Sequence, residues 1–346
     1  MPAEMIETPP LLEVQGLVVT TTGPDGHTVR LIDDVSFTVN DGEVVGIVGE
    51  SGSGKSLTML AVMGLLPYGL EVAEGSIRWR GKDIVGLRER EMREIRGRDM
   101  GMIFQDPMTA LNPLRRIGSQ LAEAIRLHQK VSHAEAKERV HDLLGRVGVK
   151  EAAKRAHAYP HEWSGGMRQR AVIAMAMAND PALLIADEPT TALDVTVQAQ
   201  VMKTLEKARA ELSSALILIT HDLGLAAQNA SRMLIMYSGR IVESGTTRDI
   251  FLSPTHPYTQ GLLKSQLTER DERAYAIPGN PPSPRSRPSG CAFAPRCELS
   301  RGRSICVDVR PTLELRPNGS RSACHFADEV GKAAPVEPVE SVGSEA

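Results

Sequence analysis

The run Gly49-Glu50-Ser51-Gly52-Ser53-Gly54-Lys55-Ser56 has the glycine spacing and closing Lys-Ser of a phosphate-binding P-loop. Its glycines let successive backbone N–H groups curl around phosphate oxygens, and the helix that follows adds positive potential at its N-terminus. Lys55 would reach the β and γ phosphates, and Ser56 would set its hydroxyl on Mg²⁺. A second candidate is Leu183-Leu184-Ile185-Ala186-Asp187-Glu188, an apolar strand ending in two carboxylates, the form of a Walker B element. Side chains alternate at a strand end, so Asp187 is expected to face the Mg²⁺ shell while Glu188 is offset towards a water attacking the γ-phosphate. Either run alone has a plainer reading, a Gly-rich turn with a surface lysine or a solvated strand end. Together they describe phosphoryl-transfer chemistry.

The elements around these residues support that reading. Leu11–Val19 and Leu31–Val39 read as strands joined by a turn at Gly23-Pro24-Asp25-Gly26, an antiparallel ribbon. Glu43–Val48 is a short β-branched run entering the Gly-rich loop, and Lys55–Leu66 fits a helix closed by Pro67. Leu114–Ala178 is almost wholly helical in pattern, with Ser132 and Glu135 as a capping box for a helix running to about Val147. Ala182–Ala186 and Ala215–Thr220 are unbroken apolar runs, as strands covered on both faces of a parallel sheet should be. Val195, Ala199, Met202, Leu205, Ala208 and Leu212 recur at helical spacing between them and predict a crossover helix.

Four more elements follow in a particular order. Gln105 comes after the apolar Met102-Ile103-Phe104. Trp163-Ser164-Gly165-Gly166-Met167 opens a helix before the Walker B strand, Ala192-Leu193-Asp194 follows that strand, and His221 ends the next one. In this order the six elements from Gly49 to His221 resemble the P-loop, Q-loop, signature motif, Walker B, D-loop and switch histidine of ATP-binding cassette (ABC) ATPases. The resemblance implies an α/β P-loop cassette with an antiparallel β-subdomain and a helical insert, binding ATP and Mg²⁺. It implies that Gln105 contacts Mg²⁺ or the attacking water. Ser164 and Gly166, with Gly165 between them, would bind the γ-phosphate of a nucleotide held by an opposing subunit. Asp194 would act across that interface, and His221 would touch the γ-phosphate and hold Glu188. One chain then carries two half-sites and no complete one, so hydrolysis is expected to require a dimer. One departure stands out: the family usually offers an aromatic ring on the first β-ribbon to stack on adenine, where this chain has Thr21, with only His27 in the turn beyond.

All four cysteines lie after residue 290, at Cys291, Cys297, Cys306 and Cys324, spaced C-x5-C-x8-C-x17-C. Disulfides are rare in the cytosol, where such an ATPase works, so a metal or cluster is the better reading, although the tight C-x-x-C pairs of zinc sites are absent. Four cysteinates suit a [4Fe–4S] cluster; the alternative is four reduced thiols in a small packed extension. Between Pro278 and His325, eight arginines face Glu298, Asp308 and Glu314, charge that would offset an anionic cluster. The runs Ser253–Leu263, Pro278–Ser283 and Gly290–Cys297 resemble the C-terminal extension of oligopeptide and dipeptide importer ATPases, whose four cysteines hold an iron–sulfur cluster. The likeness covers nearly all of Leu11–Phe326 and implies that these four cysteines do the same.

Composition narrows the partners. Across 346 residues, 40 Lys and Arg against 43 Asp and Glu leave a net charge of -3, and 3% aromatic content offers few stacking platforms, so nucleic acid is not expected. The first ten residues lack the basic start and apolar core of a secretory signal, and no apolar run approaches the roughly 20 residues of a membrane span. The expected organisation is an ATPase domain over 11–265 with a helical subdomain over about 114–178. A cysteine-bearing extension over 277–328 follows, entered by a proline-rich linker at Ile277–Pro288, and then a disordered acidic tail over 329–346. The resemblance implies the ATP-hydrolysing subunit of a peptide importer, peripheral on the cytoplasmic face of the membrane. Its partners would be a second, different ATPase subunit, two transmembrane permeases and, indirectly, an extracytoplasmic substrate-binding protein. Nickel and glutathione importers share the tail pattern. A soluble ABC ATPase acting on DNA or ribosomes is the rival class, but the usual long coiled coil or second cassette of such proteins is missing.

Overall fold

The computed structural model describes residues 9–191, 193–267 and 275–330. The first expected strands are present: β1 (Leu12–Thr22) and β2 (Thr28–Val39) pair antiparallel with Thr22 opposite Thr28. β3 (Val44–Val48) runs into the glycine-rich loop and α1 (Lys55–Val62). This helix stops short of the Pro67 expected to close it. Gly64, at φ +61°, donates to the Ala61 carbonyl while Leu65 donates to Leu60, a Schellman closure that ends the helix a turn early. β4 (Leu70–Trp79) and β5 (Lys82–Asp83) then complete a four-stranded antiparallel sheet in the order β2-β1-β4-β5.

After α2 (Glu89–Ile95), β6 (Met100–Ile103) enters the second sheet. After α3 (Pro107–Ala110), which precedes it, the helical stretch expected over Leu114–Ala178 resolves into α4 (Ile117–His128), α5 (His133–Arg146), α6 (Ala152–Arg155) and α7 (Gly165–Ala176). The Ser132 capping box is made: the Glu135 N–H donates to Ser132 Oγ and the Ser132 N–H donates to Glu135 Oε2 at 2.7 Å. β7 (Leu183–Asp187), α8 (Val195–Leu212) and β8 (Ala215–Thr220) form the expected crossover. α8 buries Val201, Met202, Leu205 and Ala208, while two residues of the expected apolar stripe are exposed, Val195 at 82% and Ala199. α9 (Leu223–Asn229), β9 (Arg232–Tyr237), β10 (Arg240–Thr246), α10 (Thr247–Leu252) and α11 (Pro257–Leu267) complete the core.

With the short strands β11 (Glu314–Leu315) and β12 (Arg321–Ser322) at one edge, the second sheet has the order β11-β12-β10-β9-β3-β8-β7-β6. From β9 to β6 every pairing is parallel, and β3, β6, β7 and β8 are buried along their whole length. That double coverage explains their unbroken apolar composition. Parallel strands share one C-terminal edge, so the loops after β3, β6, β7 and β8 all open on the same side, where ligands bind in open α/β sheets.

Beyond α12 (Ser304–Asp308), the two-residue strands β11 (Glu314–Leu315) and β12 (Arg321–Ser322) extend this sheet, with Ser322 paired to Glu243 of β10. Phe293 joins the main core, edge-on to Tyr237 at 5.3 Å between ring centroids. The proline-rich stretch 277–288 lies against β2, where Arg287 reaches Asp33 at 3.2 Å. Most of the tail expected over 329–346 falls outside the described residues.

Candidate nucleotide site

The loop from Gly49 to Ser56 depends on its glycines for specific reasons. A Cβ at Gly49 would collide with the Met236 carbonyl oxygen, and one at Gly54, which also sits at φ +104°, would meet Ile32 Cδ1. Gly52 has open space around it but takes φ +75°, a conformation that L side chains rarely adopt. Lys55 folds back over this loop, its ammonium donating to the carbonyls of Gly49 at 2.8 Å and Glu50 at 3.0 Å. Burial pulls the Lys55 pKa down from the usual lysine value against the opposing pull of Glu188, Asp187 and Glu50. Ser53 Oγ is buried and, among the described residues, has no hydrogen-bond partner. A backbone cradle, a buried ammonium and an orphaned hydroxyl fit a polyphosphate.

Strand β7 delivers its carboxylates beside this loop. Ser56 Oγ donates to Asp187 Oδ1 at 2.8 Å, so hydroxyl and carboxylate converge as a hydroxyl–carboxylate pair for Mg²⁺ should. Burial, with Glu188 adding to it, pushes the Asp187 carboxyl above the ordinary aspartate range, which a bound cation would reverse.

Glu188 sits at φ +46°, the strained left-handed region for a non-glycine residue, held there while its N–H donates to the Ile219 carbonyl of β8. Its Oε2 gathers three groups: Gln105 Nε2 at 3.1 Å, Thr191 Oγ1 at 2.9 Å and His221 Nδ1 at 3.4 Å. Gln105 and His221 arrive from the ends of β6 and β8, the strand flanking β7 on either side, so sheet order alone brings them to this carboxylate. Thr191 was not among the residues singled out from the sequence. A threonine three residues after the acidic pair, free to turn back on it, is the signal that could have found it.

Ser164, Gly165, Gly166 and Asp194 form a separate group. Ser164 caps α7, its Oγ accepting from the Met167 N–H, and Asp194 caps α8, accepting from the Val197 N–H at 2.9 Å. The two helix starts touch: a Cβ on Gly166 would come within 2.6 Å of Val197 Cγ1. Among the described residues, no hydrogen bond or ion pair joins this group to the P-loop. On the first β-ribbon, Thr21 is paired with Val29 and Leu70 in the sheet, and His27 is exposed in its turn.

Cys291, Cys297, Cys306 and Cys324 line one small pocket together with His256 and Phe293. Burial raises every one of these thiol pKa values, that of Cys324 to about 12 with its three neighbours adding to the rise. Arg303 opposes the effect at Cys306. Among the described residues no group of three or more His, Cys, Asp or Glu is arranged to hold a metal ion. The four thiols nevertheless line a single pocket. To that extent the chemistry of these residues fits an iron–sulfur group.

Sequence reasoning also missed how the extension meets the P-loop. Arg296 grips the Glu50 carboxylate with two nitrogens, at 2.8 and 3.1 Å, and Tyr258 Oη accepts from the Glu50 N–H at 2.8 Å.

Comparison with known proteins shows the family. Residues 32–191 match the family described as ABC transporter, and residues 242–306 match the oligopeptide/dipeptide transporter C-terminal region. The chain is similar to the oligopeptide transport ATP-binding protein OppD of Salmonella typhimurium, at 49% identity over 91% of this chain and 93% of that protein. It is also similar to the dipeptide transport ATP-binding protein DppD of Escherichia coli, at 45% identity over 90% of this chain and 95% of that one. Among solved structures, an ATP-binding cassette captured as a dimer in a post-hydrolysis state bound to ADP and Pi superposes with a TM-score of 0.62. It is 26% identical and spans 68% of this chain and 99% of its own.

Proposed function

The chain belongs to the ABC transporter ATPases, in the branch with the oligopeptide/dipeptide C-terminal region, and we propose that it is the ATP-hydrolysing subunit energising import of di- and oligopeptides. The observation that carries the hydrolytic part is the gathering of Gln105, Thr191 and His221 on the Glu188 carboxylate, beside the Ser56–Asp187 pair. In this reading Lys55, Ser53 and the loop N–H groups hold the phosphates, Ser56 and Asp187 hold Mg²⁺, and Gln105 joins its shell. Glu188 polarises the attacking water, and His221 keeps that carboxylate in place.

The ATPases of this family work with membrane permeases. We read the finer arrangement as a pair of different ATPase subunits on the cytoplasmic face. What supports a pair is that Ser164, Gly165, Gly166 and Asp194 lie at two adjoining helix starts unconnected to their own P-loop, as residues serving an opposing subunit would be. No helix of the described residues is long and apolar enough to cross a membrane, so attachment falls to the permease partners. The four cysteines are read as the ligands of a [4Fe–4S] cluster, supported by their shared pocket. When bound, that group would supply structural cross-linking of the extension and a one-electron redox centre.

Glu188→Gln tests the core of the proposal. ATP turnover should fall to background while ATP binding is retained, and unchanged turnover would refute the role given to Glu188. Recovery of the chain with two permease proteins supports import; recovery with ribosomes or DNA would replace it with the soluble class.

A further inference from the structure

The phosphate loop is built against the C-terminal extension at two points. Arg296, its side chain only 6% exposed, makes the bidentate pair with Glu50 and is itself fixed by the Pro278 carbonyl at 2.8 Å and by Tyr237 Oη at 3.3 Å. Its guanidinium also lies over the Tyr237 and Phe293 rings. At the other end of the loop, the Ser53 carbonyl accepts from the Gly239 N–H at 2.8 Å. Arg287 of the proline-rich stretch braces that turn, donating to Ser238 Oγ at 3.3 Å and to Asp33. Glu50 is the second residue of the P-loop, and its carbonyl is one of the two that Lys55 engages. A shift of Glu50 therefore moves both the start of the cradle and the resting place of its lysine.

We infer that Arg296 is a positioning residue for nucleotide binding: through Glu50 it holds the outer turn of the P-loop, so that ATP affinity depends on the docked cysteine-bearing extension. Arg296 is buried while Glu50 keeps 24% of its side chain exposed, so removing Glu50 leaves a buried guanidinium without its counter-charge. Only Arg offers the planar fork that meets both carboxylate oxygens at once, so Lys is not an equivalent here. The inference rests on reading the loop as the ATP site.

The test is a double-mutant cycle on the full chain, with Mg²⁺-ATP affinity measured by displacement of a fluorescent ATP analogue. Glu50→Gln and Arg296→Gln should each weaken binding about tenfold, equivalent to about 1.4 kcal/mol. In each, the rise in KM for ATP should exceed any fall in kcat, because the contact acts on the loop before ATP is bound. The double variant should bind about as weakly as either single one, because both remove the same contact. Arg296→Lys should recover part of the affinity. Melting temperatures identify a variant whose extension has unfolded, and Glu50→Gln, which alters the loop side alone, then decides. Wild-type affinity in Glu50→Gln would overturn the inference. So would a double variant about a hundredfold weaker than wild type, since Glu50 and Arg296 would then act independently. Failure of the wild-type chain to bind ATP would instead refute the functional reading beneath it.

Discussion

Replacing Asp33 with Asn should destabilise this protein by about 3–5 kcal/mol at neutral pH, the range for removing one partner of a buried ion pair. The Asp33 carboxylate is 4% exposed and meets Arg240 Nε at 2.9 Å, Arg287 Nη1 at 3.2 Å and Arg30 Nη1 at 3.3 Å, with Arg310 at 3.7 Å. These contacts do not count equally. Arg30 and Arg310 are 48% and 36% exposed and can turn to water, so each contributes little. Arg287 and Arg240, at 8% and 16%, cannot rehydrate without undocking, and they set the cost. For a domain of this size, a loss of that magnitude lowers Tm by roughly 2–4 °C per kcal/mol. The pH dependence carries a further signature. Burial pushes the Asp33 pKa up, but the hydrogen bonds and charge of Arg240, Arg310 and Arg30 outweigh it and hold the carboxyl below its ordinary 3.8. A depressed carboxyl contributes stability that is fully present above pH 3.8 and is lost as pH falls through the folded-state value. Urea unfolding at pH 7, and at steps from pH 5 down to pH 3, should therefore show wild type and Asp33→Asn converging in acid. Equal stability at pH 7, or a gap that does not shrink at pH 3, would refute the reasoning.

Gly166→Ala should cost about 1–3 kcal/mol by overpacking, because its Cβ meets Val197 Cγ1 at 2.6 Å, and adding Val197→Ala should restore most of it. Thermal melts of the single and double variants check this, and the single variant should also lose ATP turnover as the start of α7 is displaced. Anaerobically purified protein should be brown with about four irons per chain, and Cys324→Ser should bleach it. Colourless protein with stoichiometric zinc would show the four thiols serving another metal.

Much of the candidate site was legible because its chemistry is written into short runs. Gly49 to Ser56 carries its glycines at a recognisable spacing, and an apolar strand ending in Asp187 and Glu188 announces itself by pattern. Helix ends were less legible: α1 closes at Gly64, since a positive-φ glycine can stop a helix before a proline is reached. The stripe on α8 overcounts Val195 and Ala199, because periodicity gives a face but not whether anything covers its N-terminal turns.

The sequence by itself determined the kind of chemistry and the parallel sheet that serves it, because glycine spacing, paired carboxylates and doubly apolar strands are local constraints. Only the tertiary structure decided what meets what. Gln105 and His221 reach Glu188 because β6 and β8 flank β7 in the sheet, an order that no local run encodes. Arg296 reaches Glu50 across 246 residues for a similar reason. The extension's Phe293 packs into the core beside Tyr237 and Tyr258, and that burial carries the arginine at its flank to the mouth of the P-loop.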